Sequence, residues 1–151
     1  MTTLHDILEK ITQKHFATNT GTLIHNKLRH ITITPKNHTG DQNLVSKIKQ
    51  NQFLCHLFSS QSKTEVPIAG RINNRFISRR IDRLLVDNDA QKIIILDYKT
   101  DTNHNINHTK YTQQLNEYAQ LLHAIYPTYN IEAYILWTND FLLEKQPIKP
   151  L

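Results

Sequence analysis

Asp82, Asp97 and Lys99 are set into "RRIDRLLVDNDAQKIIILDYKT", residues 79–100, a stretch otherwise composed for burial in a sheet. If Asp87 stands opposite Lys92, a four-residue loop over 88–91 closes an ordinary hairpin. Val86 then faces Ile93, Leu84 faces Ile95 and Asp82 faces Asp97 on one side of the sheet. Lys99 falls on that same side and Tyr98 on the other. Carboxylates directly opposite each other on paired strands stand roughly 4.5–5.5 Å apart at Cβ. In apolar surroundings both cannot stay ionised unaided; one takes up a proton, or a cation settles between them. The plainer alternative is an Asp–Lys pair that neutralises itself. Buried ion pairs seldom recover their desolvation cost, however, and apolar residues would hold the strands as well or better. Two opposed acids with a lysine on one face point instead to a divalent-metal site for phosphate chemistry. Hard cations such as Mg²⁺ take oxygen ligands. Asp82 and Asp97 supply two, and a backbone carbonyl near Tyr98 is placed to supply another. Such an ion polarises a phosphoryl oxygen and lowers the pKa of a bound water. Lys99 would orient that water or offset the charge developing at phosphorus.

Arg71, Arg75, Arg79, Arg80 and Arg83 crowd beside Asp82, and the chain carries a formal charge of +5. That balance favours a polyanion such as nucleic acid; a solvated strand face is the alternative. At 151 residues the chain is one domain that buries a core without metal or disulfide staples. No apolar run approaches the roughly 20 residues of a membrane span. The start "MTTLHDILEK" lacks the basic-then-apolar pattern of a signal peptide, so a cytoplasmic location is expected. A single cysteine, Cys55, excludes an internal disulfide or a four-cysteine metal site and reads as a small core residue.

The elements that must position these groups follow from periodicity. "GTLIHNKLRHI" carries Ile24, Leu28 and Ile31 at helical spacing, "KNHTGDQ" breaks it, and a second helix is expected over Gln42–Phe58. "TEVPIAGRI", "NRFISRRIDRLLV" and "KIIILDYKT" predict three strands. The polar "DTNHNINHTK" leads into a helix over about Thr109–Tyr126, with Leu115, Ala119, Leu122 and Tyr126 inward; Pro127 ends it and "IEAYILWT" is a further strand. Helices, a three-strand meander, a helix and a strand make an α/β fold with a mixed sheet. We divide it into N-terminal helices (1–60), a core (61–138) and a C-terminal tail (139–151).

"IDRLLV…IIILDYKT" followed by "YTQQLNEYAQLL" resembles the nuclease domain of the RecB/AddA family, within the PD-(D/E)xK, restriction-endonuclease-like superfamily. Most of the chain takes part, in the expected order. "GTLIHNKL" matches the early glycine–histidine helix, "TEVPIAG" the first-strand motif with Glu65 at its acidic position, and "QLNEY" the Gln-x-x-x-Tyr motif. The resemblance implies a restriction-endonuclease-like mixed sheet flanked by helices and Mg²⁺- or Mn²⁺-dependent hydrolysis of DNA phosphodiester bonds, usually exonucleolytic and of the DNA repair and recombination type. It implies metal ligation by His25, Asp82, Asp97 and the Tyr98 carbonyl, with Lys99 catalytic.

Gln114 and Tyr118 share a helical face and are expected at the catalytic centre, where they either contact the DNA strand or brace the acidic strand. Glu65 either touches the metal or lies on a strand edge. Arg79, Arg80 and Arg83 are candidate DNA contacts, and Arg80, sharing strand parity with Asp82, is expected toward the metal side. Two departures stand out. Ser78, Arg79 and Arg80 occupy the place of the glycine usual before "IDRL". No G-x-x-x-x-G-K-[ST] occurs, so the domain is free-standing, split off or excised from a helicase, and a helicase subunit in trans is a candidate partner. One cysteine excludes the iron–sulfur cluster of the AddB and CRISPR-associated branches. The competing expectation is a catalytically silent DNA-binding or partner-docking domain. RNA or small phosphodiesters are alternative substrates.

Overall fold

The computed structural model describes residues 3–151, with side chains outside 13–18. The long first helix, α1 (Leu4–Arg29), begins at a reciprocal cap in which Thr3 Oγ1 accepts from the Asp6 amide and Asp6 Oδ2 from the Thr3 amide. A two-stranded ribbon, β1 (Thr32–Ile33) and β2 (His38–Thr39), then reverses the chain. Gly40, at φ +102, permits the next turn, because a Cβ there would meet Ile31 Cγ1 at 2.7 Å. The single helix expected over 42–58 is two helices, α2 (Gln42–Lys49) and α3 (Gln52–Leu57). Asn51 breaks it by capping α3, its Oδ1 accepting from the amides of Phe53 and Leu54.

The rest of the chain forms a five-stranded mixed sheet in the order of the sequence: β3 (Ser62–Ile72), β4 (Arg75–Asp87), β5 (Lys92–Lys99), β6 (Asn130–Trp137) and β7 (Leu142–Gln146). All neighbours are antiparallel except β5 and β6, which are parallel because α4 (His108–Ile125) crosses between them. The segment read as a tail over 139–151 therefore supplies an edge strand. Helix α4 covers one face of the sheet with Leu115, Tyr118, Ala119, Leu121 and Leu122. The N-terminal helices cover the other with Leu28, Ile48, Leu54 and Leu57. Strand β5 explains its own composition: Ile93 and Ile95 pack toward α4, Ile94, Leu96 and Tyr98 toward the N-terminal helices, and a near-continuous apolar run results. Among the described residues, no helix is long and apolar enough to cross a membrane.

The β4–β5 hairpin has the expected register, Asp87 opposite Lys92 and Leu84 opposite Ile95, closed over 88–91. Pairing stops at Arg83–Leu96, one pair short of the acids. On its other side β4 pairs with β3 except at Glu65 and Asp82, and Glu65 lies at φ 54. Ile81 and Leu84 pack into the same core although three positions apart, so inward–outward alternation slips across Asp82. Asp82 thus sits at a kink where β4 leaves both neighbours, rather than in a flat cross-strand pair with Asp97.

Candidate active site

At the fork between β4 and β5, Asp82 Oδ2 accepts from the Tyr98 amide at 2.8 Å, a side chain replacing the backbone partner of the ended ladder. His25, on α1, reaches the same point: its Nε2 lies 3.1 Å from the Tyr98 carbonyl and its Nδ1 3.8 Å from Asp82 Oδ1. A carbonyl only accepts, so Nε2 carries the proton and the neutral ring turns its Nδ1 lone pair toward the carboxylate. Burial lowers the His25 pKa, which favours that neutral form. Asp97 is 2% exposed, and its Oδ2 lies 2.6 Å from Lys99 Nζ. That contact lacks hydrogen-bond geometry, and no other described group bonds the buried Oδ2.

Burial, and next the charge of Asp97, raise the Asp82 pKa to about 7 against the opposing pull of the Tyr98 amide and Lys99. A carboxyl held so high marks a place where negative charge is poorly compensated, the condition under which a cation is drawn in. Lys99 also donates to Gln114 Oε1 at 3.3 Å and stands 4.3 Å over the Tyr111 ring. Gln114 Nε2 donates to Tyr118 Oη at 2.5 Å, and the Tyr118 hydroxyl donates to the Arg80 carbonyl at 3.2 Å. A continuous chain of contacts so ties Lys99 to the backbone two residues before Asp82.

The donor set suits a divalent cation in kind: two carboxylates, a carbonyl and a neutral imidazole. The 3.8 Å between His25 Nδ1 and Asp82 Oδ1 is too long for a hydrogen bond. Adjacent ligands of an octahedral ion at about 2.1 Å stand about 3.0 Å apart, so the two donors would have to draw closer around an ion. Among the described residues no three His, Cys, Asp or Glu side chains converge tightly enough to grip an ion as they stand. Asp97 is drawn onto Lys99 instead.

Two sequence expectations, those for Arg83 and Arg80, need correcting. Arg83 is no DNA contact: it is 2% exposed and turned to the N-terminal side, where it donates to Tyr98 Oη, Ser62 Oγ and the carbonyls of Leu28 and Ile31. Tyr118 is buried in the α4 core with its hydroxyl on the Arg80 carbonyl, which is the second of the two placements expected of it, bracing the acidic strand. Arg80 remains 68% exposed but points to Glu65 Oε2 at 3.2 Å. Glu65 in turn adds to the negative field at Asp82, which puts Arg80 at the rim of the site, one residue removed from the acids. Arg79, half exposed, leans toward Glu117 on α4 at 3.8 Å. The sequence places Tyr111 in the core rather than at the site, and Asp101 goes unremarked in it. Tyr111 donates to Asp101 Oδ2 at 2.8 Å and faces Lys99 with its ring. An aromatic one helical turn before Gln114 was the available signal. No protein-family model matches the chain, and a search of curated proteins finds no match either.

Proposed function

We propose that this chain is a divalent-metal-dependent DNA nuclease, an exonuclease of the RecB/AddA type on a restriction-endonuclease-like sheet. The observation that carries the reading is the meeting of Asp82, Asp97 and Lys99 at a strand fork, with Asp82 pushed up to about 7. No stabilising role accounts for it. A buried carboxylate oxygen without a hydrogen bond and two acids repelling each other both weaken the fold.

Asp82, Asp97, His25 and the Tyr98 carbonyl would hold Mg²⁺ or Mn²⁺. A bound ion of this kind supplies Lewis acidity at a phosphoryl oxygen and acidifies a coordinated water. Lys99, released from Asp97, has its ammonium free to meet the scissile phosphate or to orient the attacking water. Gln114 keeps the Lys99 head in place, and Tyr118 fixes the carbonyl of Arg80 and with it the approach of β4. Asp97→Asn keeps the shape and removes a charge, and should lower Mg²⁺-dependent degradation of linear DNA by about 10²-fold or more. Wild-type protein that degrades DNA no faster than Asp97→Asn overturns the reading.

One observation favours a second reading. The Asp97–Lys99 pair is closed, and among the described residues no three metal-ligating side chains converge. A silent DNA-binding domain would look the same, and DNA binding without cleavage in either Mg²⁺ or Mn²⁺ would select it. Parallel digestions of RNA and of a small phosphodiester define the substrate class.

A further inference from the structure

A trough opens beside the site and follows the outer flank of α4. Its inner part, about 360 Å³, is lined by Gln114, Gln113, Lys110, Arg79, Glu117 and Arg75. Its outer part, about 550 Å³, shares Gln113, Glu117 and Arg75 and continues to Asn73 and Lys149, so the two parts are one channel. Gln114 forms its inner end and is the residue that holds Lys99. The far wall is fixed to the helix: Asn116 donates to the Pro147 carbonyl and accepts from the Lys149 amide.

The charges are unequal. Arg75, Arg79, Lys110 and Lys149 line the trough against one carboxylate, Glu117. Arg75 and Arg79 are four positions apart on β4, so both point to the α4 side, roughly 13 Å from each other along the strand. Glu117 holds both heads, at 2.9 Å and 3.8 Å, against the trough wall. No Phe, Tyr or Trp is among the described residues that line it and His108 is its one aromatic ring, so the backbone of a bound strand is what such a surface chiefly reads.

We propose that this trough is the track of a single DNA strand, gripped through its phosphates by Arg75, Arg79 and Lys110 and delivered past Gln114 to Lys99. The assignment rests on reading the chain as DNA-directed and adds the strand form and its route. Two recessed pockets walled by one helix and one hairpin admit a single strand, whereas a duplex would have to lie across their rims. Binding is consequently insensitive to sequence and steep in salt.

The test uses the full chain in EDTA, where nothing is cleaved, with a fluorescent oligo(dT) strand followed by anisotropy from low to physiological salt. Replacing Arg75, Arg79 and Lys110 together by Gln should weaken binding about tenfold or more, and flatten the dependence of log K on log salt by about 0.7 for each lost contact. Glu117→Gln should do the reverse and tighten binding severalfold, which loss of structure would not imitate. Adding Glu117→Gln to the triple variant removes the carboxylate otherwise stranded there and serves as its folding control. Unchanged affinity and salt slope in the triple variant, tighter binding of duplex than of single strand, or no binding by wild-type protein overturns the trough. Wild-type protein that binds through the trough yet never cleaves leaves the track standing and removes only the hydrolytic reading. A cleaving wild type whose triple variant binds unchanged does the opposite.

Discussion

Arg83 and Lys99 are cations on opposite faces of one sheet, and the protein treats them in opposite ways. Arg83 is saturated. Its nitrogens donate to Tyr98 Oη at 3.0 Å, Ser62 Oγ at 2.7 Å, Leu28 O at 3.0 Å and Ile31 O at 3.1 Å, and Phe58 covers it at 4.1 Å. Two of those acceptors lie where α1 ends, where carbonyls lack helical partners and the helix dipole favours positive charge. Lys99 has a carboxylate without hydrogen-bond geometry, one amide oxygen and the face of Tyr111. A charge that serves the fold is given every partner it can use. The Lys99 pair, whose buried Asp97 oxygen accepts no hydrogen bond, is left short.

Substitutions sharpen that contrast. The largest effect on stability is expected on the Arg83 side. Arg83→Met strands several buried acceptors and should cost about 3–5 kcal/mol in urea unfolding; a loss under about 1 kcal/mol would mean that the network is not saturating a structural need. On the Lys99 side the signature is in the pH dependence. The Asp82 pKa is raised in the fold to about 7, so between the ordinary carboxylate range and about 7 the folded state binds a proton that the unfolded state has released. Stability contributed at this position therefore falls as pH rises through that window. Asp82→Asn should remove the decline, gaining on wild type from pH 5 to pH 8 in matched unfolding curves. A wild-type–variant gap independent of pH would show that Asp82 is ionised throughout. Smallest is Tyr118→Phe, which frees the Arg80 carbonyl and should cost about 1 kcal/mol. Its nuclease rate should fall more than its stability, since the hydroxyl positions β4 and Gln114 together; equal small losses would make Tyr118 simple core filling.

Local physics was readable in advance, and non-local partners were not. Leu84 opposite Ile95 and the loop over 88–91 follow from alternation and loop length, and both are present. Asn51 was readable as a helix cap, yet the apolar spacing on either side masked it. Strand β7 escaped notice because "LLEKQ" is short and polar, as an edge strand tends to be. The slip across Asp82 has its cause in a left-handed Glu65 on the neighbouring strand, which no period in β4 announces. Arg83 looked like its exposed neighbours because its partners, the carbonyls of Leu28 and Ile31, lie more than 50 residues upstream. Of the site, the three charged residues were legible as types on one hairpin. The trough was not, because it is assembled from β4, α4 and the C-terminal segment.

Calorimetric titration of the apo protein with Mn²⁺ reaches the central claim without relying on turnover. A single saturable site is expected in wild-type protein, absent from Asp82→Asn and Asp97→Asn and retained, with equal or higher affinity, when Lys99→Met removes the competing ammonium. Mn²⁺ binding of equal strength in wild type and both Asn variants, or none in any of them, would contradict it.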